Sequence, residues 1–92
     1  MSGGSLDETY FAMQNFRQLL GQFNDSLRSS LAELEAQHGI VSPHWQDQWR
    51  KEYDAIWGPF EETMKRYVST EGPNYLEFLN IKSEAMRRYL GD

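Results

Sequence analysis

Met13, Phe16, Leu20, Phe23, Leu27, Leu31, Leu34 and the less apolar His38 recur at steps of three and four residues. The spacing is heptad-like, with one extra residue near Leu31 that shifts the seam locally. Leu6, Tyr10 and Leu19 widen the stripe, and Gln14, Gln18, Gln22, Arg28 and Glu35 fall on the other side. Upstream, Ser5-Leu6-Asp7-Glu8 has the Ser-x-x-Glu form of a capping box, with acids where the helix dipole favours them. Downstream, Gly39 suits the residue just past a helix end. The predicted helix, 5–38, would be about 50 Å long. That is too long for the interior of a 92-residue globule, so it is expected to be one arm of an elongated hairpin.

Ile40-Val41 form a short connection, and Ser42-Pro43 supply an N-cap and a proline suited to the first helical position. A short loop favours antiparallel neighbours. The second helix is expected over 43–68, carrying Trp45, Trp49, Tyr53, Ile56, Trp57, Phe60, Met64, Tyr67 and Val68 at helical spacing. Gly58-Pro59 predicts a kink or break within it. Glu61 and Lys65, and Glu62 and Arg66, stand in the favourable i,i+4 order. Ser69 to Asn74, with Gly72-Pro73, reads as a turn capped by Asn74. A shorter helix over 75–90 follows, with Arg87 and Arg88 in its last turn and Gly91 after it. No period-two run suggests a strand. The expected fold class is all-α: an elongated antiparallel hairpin plus a C-terminal helix, forming a four-helix bundle on dimerisation. Residues 1–4 are expected to be a disordered tail and 5–92 a single domain.

Chains of this size bury only about 60–65% of their unfolded surface, so a partner that extends the core is favoured. There is no cysteine, which excludes a disulfide framework and a thiolate site. The net charge of −5, without a clustered basic face, argues against nucleic acid and anionic membrane surfaces as partners. The first residues, Met1-Ser2-Gly3-Gly4-Ser5, lack the charge and apolar core of a signal peptide, and no run is long enough for a membrane span. The expected location is the cytoplasm, or outside the cell by a route without a cleaved signal.

Catalytic chemistry finds little purchase. His38 and His44 could face each other across the corner with Asp47 nearby, but two histidines and one carboxylate match no helical ligand pair. The reading is of polar corner residues. Serines 26, 29, 30 and 42 lack a nucleophile-elbow context, and Ser29 and Ser30 read as small residues beside a helix seam. Glu61-Glu62 and Asp7-Glu8 lie on polar faces. No catalytic, metal or cofactor-binding residue is assigned, and the chain is expected not to be an enzyme.

The aromatic content carries the functional signal. Thirteen aromatics and four methionines exceed what one seam between two helices can hold, and these are types enriched at protein interfaces. Trp49, Tyr53, Trp57, Phe60, Phe16, Leu20, Phe23 and Leu27 are the candidate interface residues. The expected partner is a protein or a second copy of the chain.

Trp45 just past the loop, with Tyr53 eight positions on, resembles the Trp-X-Gly (WXG) proteins. Asp47, Arg50 and Pro59-Phe60 also resemble the Trp-x-Asp…Arg-x-x-(Phe/Tyr)…Pro-(Leu/Phe) run of WXG-like proteins. The likeness spans roughly residues 5–68. It implies a small helical hairpin with Trp45 and Asp47 as the corner motif, dimerising into a four-helix bundle and associated with type VII secretion in bacteria. Asp47 stands where that family's motif has glycine. The family's Tyr-x-x-x-(Asp/Glu) export signal is met by letter at Tyr67…Glu71, although ahead of the third helix, while Tyr89-Leu90-Gly91-Asp92 is one residue too short.

Overall fold

The computed structural model describes residues 2–91 and the side chains of residues 6–91. Helix α1 runs Ser2–Val41, a 3₁₀ turn follows at Ser42–His44, and α2 runs Trp49–Arg66. A π turn at Tyr67–Glu71 leads without interruption into α3, Gly72–Tyr89. The described residues hold no strand. The chain is an all-α hairpin measuring 66 × 18 × 18 Å. Its first arm is α1, and its second arm is α2, the π turn and α3 end to end.

Several boundaries differ from expectation. α1 begins at Ser2 and passes through Gly39 to Val41, so Ser5 lies inside the helix; the side chain of Ser5 and all of Met1 lie outside what is described. Ser42-Pro43 opens only the single 3₁₀ turn. The helix proper starts at Trp49, where the Asp47 carboxylate accepts the Trp49 N–H at 3.0 Å, as a capping side chain does. Gly58-Pro59 does not break α2. Both residues face solvent, where water can satisfy the carbonyl that proline leaves without a donor.

The turn expected at 69–74 is absent, and Asn74 sits within α3. Pro73 would press its ring on the carbonyl four residues back. The backbone widens instead: the Gly72 N–H reaches the Tyr67 carbonyl, an i→i+5 bond that adds one residue to the turn. The extra residue also suits the packing phase. The inward residues Met64, Val68, Gly72 and Leu76 are buried or half-buried and step by four three times, one residue more than a heptad repeat allows. The third helix therefore neither folds back nor projects; it continues the second arm and packs on α1.

Helix backbones approach closely where small residues face α1, from the π turn through α3. Beside α2 the rings of Tyr53 and Trp57 lie between the arms, packed against His38. Leu31 and Leu79 are 5% and 7% exposed and Leu20 is also buried, but so are Asn24, Gly72 and Ser83. The seam is thus part polar. Asn24 donates to the Gly72 carbonyl at 3.2 Å and accepts from the Tyr67 hydroxyl at 2.7 Å. Ser83 donates to Gln14 at 2.9 Å, and Arg17 donates to Asn80 at 2.7 Å. Gln14 and Glu35, expected on the outer side, are half-buried, whereas Phe16, Phe23 and Leu34 are exposed. Relative to the expected stripe, α1 is rotated so that Asn24 and Leu31 point at the second arm.

Candidate protein interface

At the closed end, His38 lies stacked on Trp57, with ring centroids 4.7 Å apart and planes at 12°. Its Nδ1 is 2.6 Å from the Tyr53 hydroxyl. Tyr53 in turn packs against Trp45 at 4.7 Å, and Phe60 against Trp57 at 5.7 Å. His38 is therefore not a free polar corner residue but the bridge by which the end of α1 holds the start of the second arm. His44 is exposed in the 3₁₀ turn.

The corner itself is tied by two side chains. Asp47 accepts from the Trp45 indole N–H at 2.8 Å as well as capping α2. Arg50 donates to the Ser42 carbonyl and hydroxyl, both at 2.7 Å, to the Trp45 carbonyl at 3.0 Å, and to Asp54 at 2.8 Å. The guanidinium fork thus reinforces the Ser42 carbonyl, which also accepts the Trp45 N–H at 3.3 Å, and binds the Trp45 carbonyl beyond the 3₁₀ turn. An open groove of about 340 Å³ lies between Leu34, Val41, Trp45, Tyr53 and Trp57. The Trp57 indole nitrogen is buried without a hydrogen-bond partner among the described residues.

The two sides of the hairpin differ in chemistry. Arg17 with Asn80, and Glu35 with Lys65 at 3.2 Å, mark one side as polar. There a hydrogen bond with Glu61 and the Lys65 ammonium hold the Glu35 carboxyl below its usual range, and Glu35 raises Lys65. Arg66 pairs with Glu71 at 3.8 Å rather than with Glu62 as expected. Glu84 is lowered by its hydrogen bond to Arg87.

The other side is largely apolar, with the Lys82 ammonium 5.4 Å from the centre of the Phe78 ring. Phe16 meets Tyr75 edge-on at 6.2 Å, and Phe23 meets Tyr67 likewise at 6.2 Å. Helical spacing places Leu19, Leu34 and Val41 on the same stripe of α1, and Phe78 and Tyr89 beside Tyr75 on α3. Trp49, Ile56 and Phe60 continue that side along α2, turned away from the Glu61 and Lys65 flank. All but the half-buried Tyr67 are exposed, from 41% at Phe60 to 81% at Tyr89. Among the described residues, only Phe11, Ile40 and Ile81 of the large exposed apolar side chains fall elsewhere.

Among the candidate interface residues, Phe16, Phe23, Trp49 and Phe60 are on this open side. Tyr53 and Trp57 are half-buried against His38, Leu27 is half-buried at the seam, and Leu20 is buried within it. Trp45 and Asp47 meet at the corner. The residues that sequence reasoning missed are Asn24, Tyr67 and Gly72, which form a polar knot inside the seam, and Tyr75, Phe78 and Tyr89, which complete the apolar face. Phe16, Phe23 and Leu34 of the predicted stripe, widened by Leu19, were the available signal for the α1 part of that face.

Among the described residues no group of three or more His, Cys, Asp or Glu is placed to hold a metal ion, and no helix is long and apolar enough to cross a membrane. No protein-family model, curated protein or solved structure matches the chain.

Proposed function

We propose that this chain is a non-enzymatic protein-interaction module, resembling the WXG-type proteins of type VII secretion. It works as a homodimer or heterodimer, or docks a larger protein, through the aromatic side of the hairpin. The observation that carries this reading is the segregation of exposed apolar residues to one side, from Phe16 and Phe23 to Tyr75 and Phe78. Large contiguous apolar surfaces on soluble chains mark interaction sites. The Trp45-x-Asp47…Arg50-x-x-Tyr53 run supports the resemblance, since each of its residues has a role in holding the corner. The module acts in the cytoplasm or outside the cell.

One observation favours a second reading, an adaptor or chaperone subunit of another assembly such as a phage or a secretion apparatus. Tyr67 to Glu71, which meet the export signal by letter, form the π turn, and the Tyr67 hydroxyl is engaged by Asn24.

The test is co-purification of the tagged full chain from its own cells, comparing Phe23→Asp and Phe78→Asp with Phe11→Asp on the opposite side. The module reading expects a discrete protein, or an untagged copy of the chain, to be lost with the first two variants and kept with the third. Loss of that chain from the medium on deletion of a type VII ATPase selects the first reading. Retention of every bound protein in all three variants overturns both.

A further inference from the structure

We infer that the groove at the closed end is a binding site for a small, neutral, planar aromatic molecule that carries an acceptor oxygen. The site goes beyond the interaction-module reading and stands or falls separately from it.

Shape sets the first property of the ligand. The groove holds about 340 Å³, at the lower end of the range of about 300–1,000 Å³ for small-molecule sites, which suits a small fused-ring compound. Its walls are largely ring faces. His38 and Tyr53 lie nearly parallel to Trp57, at 12° and 10°, and Trp45 is tilted 39° to Tyr53. Trp45, Tyr53 and Trp57 are only half-buried, so part of each ring is open to an occupant. Leu34 and Val41 line the α1 side. Flat rings pack on such walls offset or edge-on.

Charge sets the second property. No carboxylate, ammonium or guanidinium group lines the groove. The charged side chains of the corner are engaged with the protein itself: Asp47 with Trp45 and Trp49, and Arg50 with Asp54 and Ser42. A charged molecule would lose its hydration here without compensation, so the ligand is neutral.

Hydrogen bonding sets the third. Trp57 lines the groove, and its indole nitrogen is the one buried side-chain polar atom without a partner among the described residues. Buried donors are rarely left unpaired, because the lost hydration is costly. The Tyr53 hydroxyl, a stronger acid than imidazole, donates to His38 Nδ1 at 2.6 Å, so the His38 ring keeps its proton on Nε2 and is a second donor. The Trp45 indole N–H is already taken by Asp47. The lining rings thus carry two donors, and an acceptor oxygen on the ligand is their complement.

The test uses coumarin, a neutral fused-ring carbonyl compound, with the isotope-labelled full chain. The three tryptophans give three indole N–H signals, assigned through their backbone amides. Coumarin is expected to move the Trp57 signal to saturation and to leave that of Trp49, which is exposed and outside the groove, in place. Trp57→Phe keeps a ring and removes the donor. It is expected to weaken coumarin binding, followed at the Trp45 signal, about 3–10-fold, while Phe23→Asp on the apolar side leaves the affinity unchanged. Circular dichroism confirms that both variants remain helical; if Trp57→Phe does not, the wild-type shifts decide. Absence of a saturable Trp57 shift overturns the site, as does an equal shift at Trp49. Equal affinity in a helical Trp57→Phe overturns the acceptor requirement and with it the ligand class. None of these outcomes changes which proteins co-purify with the chain, so the groove and the interaction-module reading fail separately.

Discussion

Asn24 and Gly72, forty-eight residues apart, are joined by a 3.2 Å hydrogen bond from the asparagine amide to the glycine carbonyl. The same asparagine accepts from the Tyr67 hydroxyl at 2.7 Å. The contact sits where the π turn passes α1, so one buried polar side chain in the seam fixes the register of the two arms. Replacing Asn24 by Ala leaves the Tyr67 hydroxyl without its buried acceptor and removes the cross-arm bond to the Gly72 carbonyl, at a cost of about 1–3 kcal/mol. Urea unfolding of the variant gives the difference.

Glycines 72 and 58 are expected to respond oppositely to alanine. A Cβ on Gly72 would stand 3.0 Å from the Tyr67 ring and 3.1 Å from its carbonyl, with Asn24 at 3.2 Å. Overpacking of that kind costs about 1–3 kcal/mol, more than the helix propensity that alanine adds. At Gly58 a Cβ meets nothing within 4 Å, so Gly58→Ala is expected to stabilise by about 0.5–1 kcal/mol. Thermal melts of the two variants should move in opposite directions.

The corner depends on Asp47 and Arg50. Asp47→Ala removes a helix cap and is expected to cost about 0.5–2 kcal/mol. Arg50→Lys keeps the charge but cannot reproduce the fork that holds Ser42 and Trp45, so it is not a conservative change. Hydrogen exchange should quicken at Trp45 and Trp49 in both variants and stay unchanged at the Asn24 knot.

The pH profile follows from Glu35 and Lys65. Glu35 titrates lower in the fold than in the unfolded chain, so its contribution is present above the ordinary carboxylate range and is lost as pH falls through the depressed value. Lys65 titrates higher in the fold, so its contribution is present below the ordinary lysine range and is lost as pH rises through the raised one. Lys65 is exposed and Glu35 partly so, and salt screens them. Glu35→Gln should flatten the acid limb of Tm against pH at low salt and change little at high salt.

The all-α hairpin was legible because the helical period from Met13 to His38 outruns any compact globule, and Ser42-Pro43 follows at once. The continuity of the second arm was not. Gly72-Pro73 has the letters of a turn, yet Gly72 is needed for close approach to Tyr67 and Asn24, and the proline is accommodated by one added residue. The identity of the seam was half legible. Hydrophobicity favoured Phe16 and Phe23 over Asn24, but Asn24 and Gln14 find partners across the seam, which leaves the phenylalanines outside. The corner gave up its aromatic residues to inspection, while the stacking of His38 on Trp57 depends on a rotation of α1 that apolar spacing alone does not set.

The central claim is that the side bearing Phe16, Phe23, Tyr75 and Phe78 is an interface. Sedimentation equilibrium of the full chain tests it most directly, run on the wild type beside Phe23→Asp and Phe11→Asp. The expected result is a wild type at twice 10.8 kDa, with Phe23→Asp falling to a helical monomer and Phe11→Asp remaining a dimer. A wild type that stays monomeric at every concentration and binds no other protein through this side would contradict it.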